Sequence, residues 1–431
     1  MKHLSIKIKK KSQTQYLLYI VIFMSVFSSG MIDFFHAPQM IKYSIDVFLF
    51  LAVISSSAKI LRITKENRVF LYFTIGFFLY TAFAYIINYQ SVFYYLWGFR
   101  NNFRYYLFFL TCIVSFGEED RTWIHKFFGK IYYANAVVCF IQYFIFGINR
   151  DYLGGIFGNT QGCNGSMHIF LSIELAIVTL DYINGEIKLK DLILTYGISM
   201  VIGALAEMKF LFVEMIFIVI LEVFITHFTN RKLTIVIIGI IGILAGISLL
   251  VSIFPEWENT FSIIELWKIG SARTGYTGSG DLNRLNAIQI LIENYIKEWN
   301  QIVFGLGLGN CDYASFDFLT TPFYLRYSRL HYTWLSCAFV FLETGIVGLC
   351  CFIGFFILVF SRCNQFKEKD STNQKSYQLG QVLSLISITI AIYNSSLRSE
   401  AGYMMYLFLA LPFCGLRIKT TMLASEKRVD I

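Results

Sequence analysis

The sequence predicts an all-α protein: a polytopic bundle of about twelve transmembrane helices, with one long extracytoplasmic loop that contains an amphipathic helix. Three observations predict it. First, 56% of the 431 residues are hydrophobic and only 15% are charged, which leaves too little polar surface to cover a water-soluble core. Second, runs of about twenty apolar residues recur along the chain, each able to cross roughly 30 Å of hydrocarbon as a helix. Third, Lys and Arg concentrate in alternate connecting segments, the asymmetry that sets membrane orientation.

The elements follow in order. A basic tail over 1–15 precedes spans at 16–35, 43–61, 69–88, 103–116, 131–148, 167–183, 191–207, 210–228 and 233–254. A polar segment over 255–331 follows, then spans at 332–360, 376–393 and 403–416 within a second membrane unit over 332–418, and a tail over 419–431. The fourth span is short. The tenth is long enough to tilt or break near Gly345. The start does not read as a cleaved signal, because its basic tail leads into a full-length span with no small-residue cleavage site. With the N-terminus in the cytoplasm, the short outer loops hold just Lys42, Arg100, Arg104, Arg150, Lys209 and Arg398 out of 36 Lys and Arg. Both termini are therefore expected inside. The net charge of +8 reports this topology and does not argue for nucleic acid. Of nine cysteines, Cys163 and Cys311 fall in outer loops, where they either pair or remain free thiols. No cysteine spacing fits a zinc site.

The inner loops are short and carry no phosphate-binding lysine loop, which disfavours an ATP-driven pump. The chemistry is expected in the long outer segment. There Leu285, Ile288, Ile292, Tyr295, Trp299 and Ile302 recur at three and four residues, one face of an amphipathic helix. Ser279 or Asp281 can cap its start, which places Arg284 in the first turn. The helix is expected to lie on the membrane surface as a lid, with Arg284 and the helix N-terminus facing one anion. "GLGLGN" lacks the spacing of a dinucleotide loop and reads as a turn. After it comes "RYSRLHYTW", where Arg326, Arg329 and His331 crowd against the next apolar run.

Other outer cations are informative. Arg100 and Arg104 are one turn apart if the fourth helix starts early, and interface anchoring is the plainer reading of both. Glu207 and Lys209 sit in a tight turn between two spans, either neutralising each other or marking a membrane-depth site. His36 and His168 lack a charged neighbourhood in sequence and read as ordinary packing residues. No carboxylate cluster of the kind that holds a divalent ion is evident on the outer side, so cations must supply any charge neutralisation.

The order of a long outer loop, an arginine opening an amphipathic helix, "FGLGLGN", a loop-closing histidine and "FLETGIVGL" in the next span resembles the O-antigen ligase / O-antigen polymerase superfamily of bacterial envelope enzymes. The likeness is densest over 283–360, and "LGGIFGNTQGCNG" and the cation after the seventh span are similar too. The resemblance implies a multi-pass glycosyltransferase of the bacterial cytoplasmic membrane that uses no metal and no cofactor. Its donor would be a glycan on undecaprenyl diphosphate, and its partners membrane lipid, a flippase and a chain-length regulator. It further implies catalytic roles for His331 and Arg284, and diphosphate binding by Lys209, Arg100, Arg104, Arg326 and Arg329. Lys209 stands where many members carry arginine. Three readings follow: a polymerase of O-antigen or capsule repeat units, which the sequence favours; a ligase that moves finished polymer to lipid A–core; and, in another class, a transporter of lipid-linked sugar. The absence of a repeat between halves disfavours the last.

Overall fold

A computed structural model describes residues 11–227, 229–253, 276–277, 280–314 and 316–415. The expected tails, Ser279 and the first part of the long outer segment lie largely outside the described residues. The described chain is helical. Its first nine helices are α1 (Gln13–Phe35), α2 (Met40–Leu61), α3 (Arg68–Ile87), α4 (Val92–Ser115), α5 (Glu118–Phe144), α6 (Asn164–Ile183), α7 (Leu189–Leu205), α8 (Lys209–Ile225) and α9 (Asn230–Ile253). The loop holds α10 (Ala287–Asn294), α11 (Trp299–Phe304) and α12 (Pro322–Tyr327), and the chain continues through α13 (Ser336–Lys369), α14 (Gln374–Tyr393) and α15 (Gly402–Ala410). Helices overlie every apolar segment that the sequence marks as a span. Six of them, α1, α2, α3, α6, α13 and α14, are both long and apolar enough to cross a membrane. Phe50, Leu79, Phe83 and Leu244 point outward, the apolar exterior of a helical membrane protein.

Burial ranks the helices. In α6, 83% of the apolar window is buried, against 28% in α2 and α3, so α6 is a core helix and the other two are peripheral. Polar side chains on α6 must then be satisfied inside the protein. Ser172 and Thr179 donate to the carbonyls of His168 and Leu175, one turn back.

Three expectations need correction. α4 begins at Val92 and is a full-length helix, because the aromatic run "VFYYLWGF" is as helix-compatible as the apolar stretch behind it. α5 starts at Glu118, where three acidic residues in its first turn suit the helix dipole. The loop helix is split into α10 and α11. Arg284 precedes it in a turn, and Asp281 binds His331 instead of capping a helix.

The expected break at Gly345 is present. Its φ of 66° and ψ of −169° interrupt α13 and free backbone groups that need partners. The glycine-rich turn supplies them: Leu306 N–H donates to Leu342 O at 2.8 Å and Gly307 N–H to Glu343 O at 3.1 Å. Tyr80 Oη lies 2.6 Å from Thr344 O and 2.9 Å from Val303 O, its one proton shared between the two carbonyls. The approach is so close that a Cβ on Gly345 would lie 2.2 Å from Val303 O. "GLGLGN" is thus a docking strip as well as a turn. It anchors the loop to the break in α13, next to Glu343.

Candidate functional site

The early start of α4 puts Arg100 and Arg104 one turn apart on one helix, and both reach Asp46 on α2. Arg100 Nε donates to Asp46 Oδ2 at 2.8 Å, its Nη2 contacts the same oxygen, and its guanidinium lies between the Tyr43 and Trp97 rings at 4.9 and 4.8 Å. Arg104 is 6% exposed. Its Nη2 donates to Tyr105 Oη at 2.7 Å and Arg398 O at 3.2 Å. Nη1 stands 3.5 Å from Asp46 and 3.7 Å from Glu400, yet neither Nη1 nor Nε has a hydrogen-bond partner.

Arg398, between α14 and α15, completes the cluster. Its side chain is 8% exposed, and Nη2 donates to Glu343 Oε2 at 3.0 Å. The guanidinium carbon is 3.6 Å from the Phe339 ring centroid, and Nη1 has no hydrogen-bond partner. Glu343 also accepts from Asn102 Nδ2 at 3.2 Å and from Gly309 N–H at 2.9 Å, so the docked glycine strip fixes the carboxylate that orients Arg398.

These groups wall a cavity of about 620 Å³ at one end of the bundle. Lys42, Arg100, Arg104, Arg329 and Arg398 line it against two lining carboxylates, Asp312 and Glu400. Burial pushes the Glu400 carboxyl up, but Arg104 and Lys42 outweigh that and hold it below the usual range. Burial raises Asp312 despite Arg398 nearby. Asp46 and Glu343 stand behind the arginines, so the cavity keeps a modest excess of cations, and several N–H groups of its buried arginines have no hydrogen-bond acceptor.

His331 stands on its rim. The residue is left-handed (φ 52°), its Nδ1 is 2.5 Å from Asp281 Oδ1, and its ring stacks on Trp334 at 3.9 Å. The carboxylate assigns the Nδ1–H to that side of the ring, so in the neutral imidazole Nε2 is the lone-pair nitrogen.

Arg100, Arg104, Arg329 and His331 thus meet at one cavity, although they come from segments far apart in sequence. Three expected site residues do not line it. Arg326 on α12 is exposed and lies over the Tyr327 ring at 5.3 Å. Lys209 Nζ is 4.0 Å from Glu207 Oε1, beyond a left-handed turn at Glu207 (φ 58°). Arg284 donates through Nε to Tyr393 O at 2.9 Å and stacks on the Tyr393 ring at 4.5 Å. It lines a second cavity of about 340 Å³ whose wall includes His168, Asn394 and Trp334. His168 is no plain packing residue. Its Nε2 is 2.8 Å from Glu214 Oε2, and both side chains are buried.

Sequence reasoning also missed Asp46, Glu343, Glu400 and Arg398 as members of the site. Asp46 in "SIDVFLF" and Glu343 in "FLETG" carried a signal, a carboxylate within an apolar run. Cys163 and Cys311 are free thiols. Among the described residues, no three His, Cys, Asp or Glu side chains gather as metal ligands. No protein-family model matches this sequence, and no curated protein matches it.

Proposed function

We propose that this chain is an integral-membrane glycosyltransferase of the O-antigen polymerase type, which joins oligosaccharide repeat units carried on undecaprenyl diphosphate at the outer face of a bacterial cytoplasmic membrane. The observation that carries the reading is the cationic cavity, in which buried Arg104 and Arg398 keep N–H groups without a hydrogen-bond acceptor, with His331 in the same lining. A diphosphate leaving group gains negative charge as its bond to the sugar breaks. Preorganised cations that are already desolvated stabilise that charge without reorganising. Guanidinium forks suit phosphate oxygens better than ammonium groups do. His331, oriented by Asp281, receives the proton of the attacking hydroxyl at Nε2 or holds that hydroxyl in line. No covalent enzyme intermediate is needed, so the sugar carbon inverts. A flippase would deliver the substrate and a chain-length regulator would set the number of cycles.

The test is His331→Ala at matched protein level, read on a gel of surface glycan together with a lipid extract. A polymerase variant displays single repeat units on the surface acceptor, because a separate ligase still attaches them. Long chains stranded on undecaprenyl diphosphate with a bare acceptor would instead assign the ligase reaction, and lipid-linked units held on the cytoplasmic face a transporter. Unchanged long polymer would remove His331 from the mechanism.

A further inference from the structure

The second cavity differs in chemistry from the first while sharing a wall with it. Trp334 and Ser395 line both. The first is lined by five cations against two carboxylates. In the second, Arg284 faces Asp151 and Glu207, and its Nε is already given to Tyr393 O. The rest of that lining is rich in carboxamides: Gln161, Asn164 and Asn394. With one lining cation against two lining carboxylates this surface is less positive than that of the first cavity, and its carboxamides offer fixed donors and acceptors to hydroxyl groups.

Two of the carboxamides are held rigidly. Asn164 Nδ2 donates to Asp151 Oδ1 and to Ala206 O, both at 3.0 Å, which spends its N–H groups and leaves its amide oxygen to accept. Asn394 Oδ1 accepts from Ser396 N–H at 2.9 Å, and its Nδ2 is 3.3 Å from His168 Nδ1. Behind it, His168 Nε2 is 2.8 Å from Glu214 Oε2, which lies 2.5 Å from Ser172 Oγ. Glu214 is 1% exposed and His168 3% exposed. Burying a carboxylate and an imidazole in apolar helices is costly, and here the two lie directly behind the Asn394 amide at the cavity wall.

We propose that the second cavity is a subsite for an uncharged, hydroxyl-bearing sugar, the acceptor of the transfer, with His168 as a positioning residue acting through Asn394. The inference rests on the reading of the first cavity as the diphosphate site. Inverting displacement needs the nucleophile and the leaving group on opposite sides of the sugar carbon. Two cavities that share Trp334 and Ser395 in their walls place the two reactants side by side. The bond from the sugar carbon to the phosphate oxygen breaks, and its electron pair leaves with the diphosphate into the first cavity. The acceptor hydroxyl oxygen forms the new carbon–oxygen bond from the second. Its proton passes to His331, whose ring is stacked on Trp334 at the junction. Half of Trp334 remains exposed, enough aromatic face to pack against a sugar ring.

The experiment measures binding of two probes to purified protein in nanodiscs. One is undecaprenyl diphosphate without sugar. The other is the repeat-unit oligosaccharide released by mild acid from the host cell's lipid carrier. Asn164→Leu and His168→Gln, each checked by its thermal unfolding midpoint, are expected to weaken the oligosaccharide at least tenfold while leaving undecaprenyl diphosphate within twofold. Arg104→Gln is expected to do the reverse. Should both second-cavity variants weaken undecaprenyl diphosphate and spare the oligosaccharide, or change neither, the subsite is overturned and the polymerase reading stands. A wild-type protein that binds neither probe overturns both.

Discussion

Replacing Arg398 by Met removes one buried cation and leaves its partner, Glu343, fully buried without its countercharge. Breaking a buried ion pair from one side costs about 3–5 kcal/mol. The lower bound applies here, because Asn102 and the Gly309 N–H still donate to the carboxylate. At about 2 °C per kcal/mol for a large chain, the unfolding midpoint in detergent should fall by roughly 6 °C. Adding Glu343→Gln removes the stranded charge while keeping an acceptor for Gly309, so the double variant should recover most of that loss. Its binding should not recover. A charge-assisted hydrogen bond contributes about 1.5–3 kcal/mol, so losing the unspent Arg398 donor should weaken undecaprenyl diphosphate by about 10- to 150-fold. The assay is titration of that lipid into nanodisc-embedded single and double variants, beside their melting curves. A double variant that regains both its midpoint and wild-type affinity would show that Arg398 serves Glu343 alone.

Arg284→Lys keeps the charge but loses the planar stack on Tyr393 and the Nε donor; surface polymer at matched protein level should drop at least tenfold, and wild-type polymer would show that charge alone suffices. The Glu207–Lys209 pair is partly exposed at 4.0 Å, worth about 0–1 kcal/mol. Lys209→Gln should therefore keep polymer within twofold, whereas a folded but inactive protein would return Lys209 to the substrate. Gly345→Ala forces a Cβ onto Val303 O at a residue with φ 66°. It should cost about 3 kcal/mol or more through strain and lost docking of the glycine strip, seen as poor expression and a lowered melting midpoint.

Much of the fold was legible in the sequence. Apolar runs locate helices because each peptide group in hydrocarbon must bond within its own segment, so hydropathy alone marks where the helices fall. The break at Gly345 was legible too, from the length of its run. What the runs could not place were ends set by aromatic or charged turns, such as the starts of α4 at Val92 and α5 at Glu118. The amphipathic stretch in the loop misled for a related reason. Periodicity reports which face is apolar, and it persists across the interruption between α10 and α11.

The site divides in the same way. The sequence marked seven outer residues, Arg100, Arg104, Lys209, Arg284, Arg326, Arg329 and His331, through their places beside apolar runs and a family resemblance, and four of them line one cavity. Their convergence on one cavity was decided by tertiary packing, which brings α2, α4, the loop and the segment after α14 together. Apart from the Glu207–Lys209 pair within one turn, partnership was beyond the sequence. Asp46 takes both Arg100 and Arg104, Glu343 takes Arg398, and Asp281 takes His331, and those choices determine which donors stay unspent. His168 shows the limit most clearly. In sequence it is one histidine near the start of an apolar helix, and only the packing of α6 against α8 and α14 gives it Glu214 on one side and Asn394 on the other. Hydrophobicity is a property of each segment by itself, whereas charge pairing is a property of distances between segments, which no local pattern encodes.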